Sequence, residues 1–70
     1  MKLPIVSGME IVKALNKEGF EIKGRKGSHV TLEKNNFRVT VPLHKELGYG
    51  LLNDIIKQSG YTREEFLKLL

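Results

Sequence analysis

The chain has 70 residues, 40% of them apolar and 29% charged, with no cysteine and a net charge of +4. That length gives one small domain (residues 1–70) with a thin core, and that balance belongs to a soluble globular protein rather than a disordered tail. The missing thiols exclude a disulfide framework and a thiolate metal site, and no apolar run approaches the roughly 18 residues of a membrane span.

The first element is announced by Ser7-Gly8-Met9-Glu10, a capping-box pattern in which Ser7 accepts from the Glu10 amide and Glu10 reaches back. Val6 before the cap and Ile11 after it are spaced for a hydrophobic staple. Met9, Ile11, Val12, Ala14 and Leu15 supply one apolar helical stripe, and Gly19 ends the helix where a left-handed residue is wanted. From Phe20 the period changes to alternation: Phe20 and Ile22 face one way, Glu21 and Lys23 the other. Gly24 and Gly27 bracket a turn. A second alternating run puts Val30 and Leu32 on one face and His29, Thr31 and Glu33 on the other. Asn35-Asn36 reads as a two-residue hairpin turn, because Asn tolerates positive φ, and a third run from Phe37 to Val41 ends at Pro42.

The hairpin register follows from the side chains. With Asn35-Asn36 as the loop, Leu32 meets Val39 and Val30 meets Val41 on the apolar face, while Glu33 meets Arg38 and Thr31 meets Thr40 on the polar one. A slip by one residue would mix the faces. Beyond the sheet, Leu51, Leu52, Ile55 and Ile56 form a second helical stripe closed by Gly60. Thr62-Arg63-Glu64-Glu65 is another capping box, opening a short C-terminal helix with Phe66, Leu67, Leu69 and Leu70. The expected fold class is α+β: helix, three-stranded antiparallel sheet, helix, with both main helices on the apolar sheet face. The opposite face is left to solvent and would carry Lys23, His29, Thr31, Arg38 and Thr40.

Charge is concentrated in the same region. Between Lys23 and Lys45 lie six basic residues (Lys23, Arg25, Lys26, Lys34, Arg38 and Lys45) against the single acid Glu33, so this third carries +5 and the rest of the chain −1. Such a patch suits a polyphosphate partner. His29 starts the second strand on the open face beside Arg25-Lys26. Histidine is the side chain best matched to proton transfer near neutral pH, and neighbouring cations can hold a phosphate. Taken alone, the residues leave two readings of His29 open, an ordinary solvent-facing strand residue or a reactive group. His44, just past Val41-Pro42-Leu43, reaches the same sheet end if Pro42 lies opposite His29; it is either a phosphate ligand, a second proton carrier or a turn residue.

Other chemistries lack their residues. A two-metal nuclease needs clustered carboxylates, and the one aspartate, Asp54, falls on a helix. His29 and His44 have no third ligand in view, so no zinc site is expected. Ser28 and His29 are strand neighbours and point to opposite faces, so they do not form a nucleophile–base pair. The glycines at 24 and 27 fit no phosphate loop.

Arg25-Lys26-Gly27-Ser28-His29, then Thr40-Val41-Pro42-Leu43-His44, then Glu46-Leu47 and a glycine-led helix with Ile55-Ile56-Lys57-Gln58 before Gly60, resembles the HicA (YcfA-like) toxin family along nearly the whole chain. The resemblance implies an α-β-β-β-α fold like that of a double-stranded-RNA-binding domain. It also implies a metal-independent mRNA interferase, an endoribonuclease without cofactor, that serves as the toxin of a type II toxin–antitoxin pair. Its partners would be mRNA and a HicB-like antitoxin covering the active face. The catalytic histidine of the family's Gly-Ser-His motif falls on His29. The residues' own placement makes Lys23, Arg25, Lys26, Ser28, Arg38 and His44 the expected RNA- and phosphate-binding set. The family's usual Gly-Thr-Leu at the second long helix reads Gly50-Leu51-Leu52 here, which removes a threonine cap and leaves Gly50 in its place. A cytoplasmic location is expected, since MKLPIVSGME holds no long apolar signal segment. A non-catalytic RNA-binding module and a protein-interaction domain remain the alternatives. So thin a core also makes a homodimer or a toxin–antitoxin hetero-oligomer a natural support.

Overall fold

A computed structural model describes residues 3–70. The elements follow in the expected order: α1 (Gly8–Lys17), β1 (Glu21–Lys26), β2 (His29–Lys34), β3 (Phe37–Pro42), α2 (Tyr49–Ser59) and α3 (Arg63–Leu67). The sheet is antiparallel with strand order β1-β2-β3. Both capping boxes form. Ser7 accepts from the Glu10 amide and Thr62 from the Glu65 amide, each at 3.1 Å, and each glutamate returns the bond to the cap residue's own N–H. Val6 and Ile11 are both buried, completing the staple at the start of α1. Gly19 and Gly60 take left-handed φ of 95° and 82° at the ends of α1 and α2.

The core lies between the helices and one sheet face. Val30, Leu32, Val39 and Val41 from the sheet meet Ile11, Leu15, Leu52 and Ile55, all buried. Phe20 closes one end, its ring 6.3 Å from Tyr61, which in turn stands edge-on to the buried Phe66 at 6.4 Å. Burial, with the nearby carboxylates of Glu18 and Glu65, pushes the Tyr61 hydroxyl above its ordinary pKa of 10.0. The one buried polar side chain among the described residues, Ser59, is satisfied: it donates to the Ile56 carbonyl and accepts from the Tyr61 amide.

The second hairpin has the register read from the sequence, from Lys34 opposite Phe37 to His29 opposite Pro42, with Asn35 at φ 56° in the turn. The first hairpin departs from expectation. Glu21 and Ile22 pair with Glu33 and Leu32, but Gly24, Arg25 and Lys26 pair with Thr31, Val30 and His29. Lys23 is therefore squeezed out as a bulge. The turn is not the wide one bracketed by Gly24 and Gly27 but the two residues Gly27-Ser28, and Arg25 and Lys26 are strand residues. Gly27 alone has positive φ (59°), the pattern of a type II′ turn whose twist matches the strands.

Four expectations from apolar patterning also change. Ile22 shares the face of Leu32 but lies on the outer strand beyond the reach of the helices, and every residue of β1 is exposed. Met9 and Leu51, each in the first turn of its helix, sit at the margins of their stripes and are exposed. Finally, α2 begins at Tyr49 with Gly48 as its cap, so Gly50 is a helical residue and not the substitute cap. No helix among the described residues is long and apolar enough to cross a membrane.

Candidate active site

His29 opens β2 on the sheet face that no helix covers, and it is exposed. The two-residue turn decides its company. Pairing Lys26 with His29 puts both side chains on one face, directly across the Gly27-Ser28 turn, whereas Arg25, paired with Val30, belongs to the helix-side face. The Arg25 guanidinium is used locally: its Nε donates to the Gly27 carbonyl at 3.0 Å and clamps the turn. The doubly basic pair thus divides, with Lys26 beside the histidine and Arg25 bracing the loop that positions both.

The other sequence-predicted residues are distributed along and beyond this face. Ser28 is the second turn residue, and its carbonyl accepts from the Leu43 amide at 2.6 Å. That bond holds the chain leaving β3 against the turn, so His44 follows at the His29 end of the sheet, exposed. The His44 carbonyl in turn accepts from the Gly8 amide at 2.9 Å, and the Leu47 amide donates to the Val6 carbonyl at 2.8 Å. The segment from Leu43 to Leu47 is therefore pinned between the turn and the start of α1. Gly8 makes this possible, because a Cβ there would run into the Pro42 carbonyl oxygen and lie 2.9 Å from the Leu43 Cα. Pattern reading treats Gly8 as part of a capping box; its signal is a glycine in a helix position that would otherwise favour alanine.

Arg38 and Lys23 lie apart from this group. Arg38 is opposite Glu33, with Nε 3.6 Å from its carboxylate. Four residues along β3 from Pro42, it sits about 14 Å from the His29 row at roughly 3.4 Å per residue. Lys23, on the bulge, has its Nζ 3.9 Å from Glu21 at the same far end. Both pairs are solvent-exposed and of small energetic weight. Between the two ends the open face is low, with Gly24, Thr31 and Thr40 in one row across the three strands. Of the seven predicted residues, His29, Lys26, Ser28 and His44 share one end, Arg25 supports it from behind, and Arg38 and Lys23 mark the other.

Among the described residues no three His, Cys, Asp or Glu side chains gather as a metal-binding group. The chemistry that this end offers is a titratable imidazole, an ammonium group across the strand from it, and access from solvent. That combination serves proton transfer at an anionic centre.

Comparison with known proteins gives a family. Residues 8–61 match the family described as the HicA toxin of bacterial toxin–antitoxin. A comparison with curated proteins finds no match.

Proposed function

Taking as premise that the chain belongs to the HicA toxin family of bacterial toxin–antitoxin systems, we propose that it is an endoribonuclease toxin that cuts mRNA in the cytoplasm with His29 as general acid or base. The observation that carries this reading is the placement of His29: exposed, on the helix-free sheet face, and paired across the strand with Lys26. Cleavage through the ribose 2′-hydroxyl needs a proton taken from that hydroxyl, a proton given to the departing 5′-oxygen, and a cation near the phosphate. His29 carries one of the proton transfers and Lys26 faces the negative charge that develops on the phosphate oxygens. No metal ion or cofactor is needed for that chemistry.

The remaining site residues have supporting parts in this reading. His44 and the Ser28 hydroxyl contact the backbone next to the scissile phosphate, and Arg38 and Lys23 guide the strand at the far end of the face. Arg25 acts by holding the turn. The excess of positive charge, +5 between Lys23 and Lys45, suits a HicB-like antitoxin that covers the face with acidic groups.

The test is cleavage of single-stranded RNA by purified protein, beside His29→Ala. General acid–base catalysis is worth about 10² to 10⁴ in rate, so H29A loses at least about a hundredfold while its affinity for RNA stays near that of the parent. Undiminished cleavage by H29A removes the catalytic assignment. Binding without cleavage by both proteins turns the reading into that of an RNA-binding module.

A further inference from the structure

The end of the molecule that carries His29 holds a second feature. Where the chain leaves the Pro42 end of β3 and turns into α2, a pocket of about 340 Å³ is lined by Ile5, Glu46, Leu47, Gly48 and Tyr49. The chain leading to it from the His29 end is held by Leu43, bonded to Ser28, and by His44, bonded to Gly8. Ile5 and Tyr49 are 69% and 48% exposed and give the pocket an apolar face open to solvent. Phe37, the other exposed aromatic residue among those described, stands at the far end of the sheet, against Gly60. Glu46 forms no ion pair among the described residues.

We propose that this pocket is a nucleobase subsite for single-stranded RNA and that it selects guanine. Its volume lies at the small end of ligand pockets, roughly 300 to 1,000 Å³, which suits one base and not a duplex. Exposed aromatic rings are the usual platforms on which unpaired bases stack, and Tyr49 supplies one. The carboxylate at the pocket decides which base. It repels phosphate and accepts hydrogen bonds only. Guanine alone presents two adjacent donors, N1–H and N2–H, to a carboxylate. Adenine and cytosine each set a ring acceptor beside their amino group, and uracil offers one N–H between two carbonyls. The choice of an RNA base as ligand rests on the ribonuclease reading; the pocket and its selectivity are testable without it.

The experiment is an amide chemical-shift titration of the full chain with 5′-GMP, 5′-AMP, 5′-CMP, 5′-UMP and inorganic phosphate. The expected result is saturating shifts at Leu47, Gly48, Tyr49 and Gly50 with GMP, weaker by roughly tenfold or more for the other nucleotides and absent with phosphate. Glu46→Gln lowers GMP affinity to the level of the others, and Tyr49→Ala weakens all four by roughly ten- to a hundredfold. Both substitutions are at exposed positions, and thermal unfolding checks that the fold is kept. Equal shifts for all nucleotides, or shifts centred on Lys26 and His29 alone, overturn the proposal. RNA cutting supplies the second arm: if His29-dependent cleavage occurs with no guanosine preference that E46Q relaxes, the subsite fails and the ribonuclease stands. If wild-type protein cuts no RNA yet binds GMP in the pocket, the subsite stands and the ribonuclease reading fails.

Discussion

Replacing Gly8 with alanine probes the joint that fixes the His44 end of the site. On propensity alone the variant gains, since alanine is favoured over glycine inside a helix by up to about 1 kcal/mol. Against this, the new methyl collides with the Pro42 carbonyl oxygen and lies 2.9 Å from the Leu43 Cα. Both are backbone atoms, held by the ladder to β2 and by the Leu43–Ser28 hydrogen bond, so neither yields as a flexible side chain would. Overpacking of this kind costs about 1–3 kcal/mol. Moving α1 away to relieve it gives up the Gly8–His44 hydrogen bond of 2.9 Å, worth about 1 kcal/mol. Contact with two unyielding backbone atoms puts the clash at the upper end of that range, so net of the propensity gain the balance is a loss of about 2 kcal/mol, and for a domain of this size each kcal/mol lowers Tm by roughly 4–8 °C. Circular-dichroism melts and urea titrations of wild type and G8A measure it. A variant as stable as the parent would refute the reasoning, because α1 would then not be seated on the end of β3.

Two further substitutions separate the roles of glycines that look alike in sequence. Gly24 has ordinary φ and open space around a Cβ, so Gly24→Ala is expected to stabilise by about 0.4–1 kcal/mol through the unfolded chain, whereas Gly27→Ala, at φ 59°, costs about 1–2 kcal/mol. Urea midpoints that move in the same direction for both would contradict the bulge and turn described above. At the other end of the chain, Thr62→Ala removes a helix cap worth about 1 kcal/mol and lets the Glu65 carboxyl titrate closer to its ordinary value of 4.5. The hydrogen bond from the Thr62 backbone, then the Thr62 side chain, holds that carboxyl low in the native protein. A depressed folded pKa means that the cap's electrostatic contribution is present above 4.5 and is lost as pH falls through the lower value. The stability gap between wild type and T62A should therefore narrow on acidification, and a gap that widens would count against the capping account.

The legible parts of the sequence were those in which one side chain answers another nearby. The two capping boxes, the closing glycines and the β2–β3 hairpin each carry their partners within a few residues, and the hairpin register emerged pair by pair from Val30, Leu32, Val39 and Val41. The first hairpin carried no such constraint. β1 buries nothing, so Ile22 could not mark a core position, and alternation from Phe20 onward failed at Lys23, where the backbone inserts a bulge that no apolar pattern records. The same blind spot covered the site. His29 was identifiable from its motif and its strand, but the question of which cation faces it depends on the two-residue Gly27-Ser28 turn, and the pinning of His44 depends on a contact between residues 36 apart in the chain, Gly8 and His44. Tyr49 escaped notice and Glu46 stood out only as part of a motif, because their significance lies in a pocket shared with Ile5, which only the folded chain brings near.

The full exposure of β1 has a consequence for how such a chain can change over generations. A residue inserted into or lost from a strand that feeds the core would throw its apolar side chains into water and be eliminated as misfolded. In β1 there is no such penalty, because none of its six residues is buried. One residue gained or lost at Lys23 would be taken up by the bulge and leave the core intact, while the two-residue Gly27-Ser28 turn would still hold Lys26 opposite His29. The far end of the open face, where Lys23 stands, can therefore drift in length and charge over generations while the pairing at His29 stays the same.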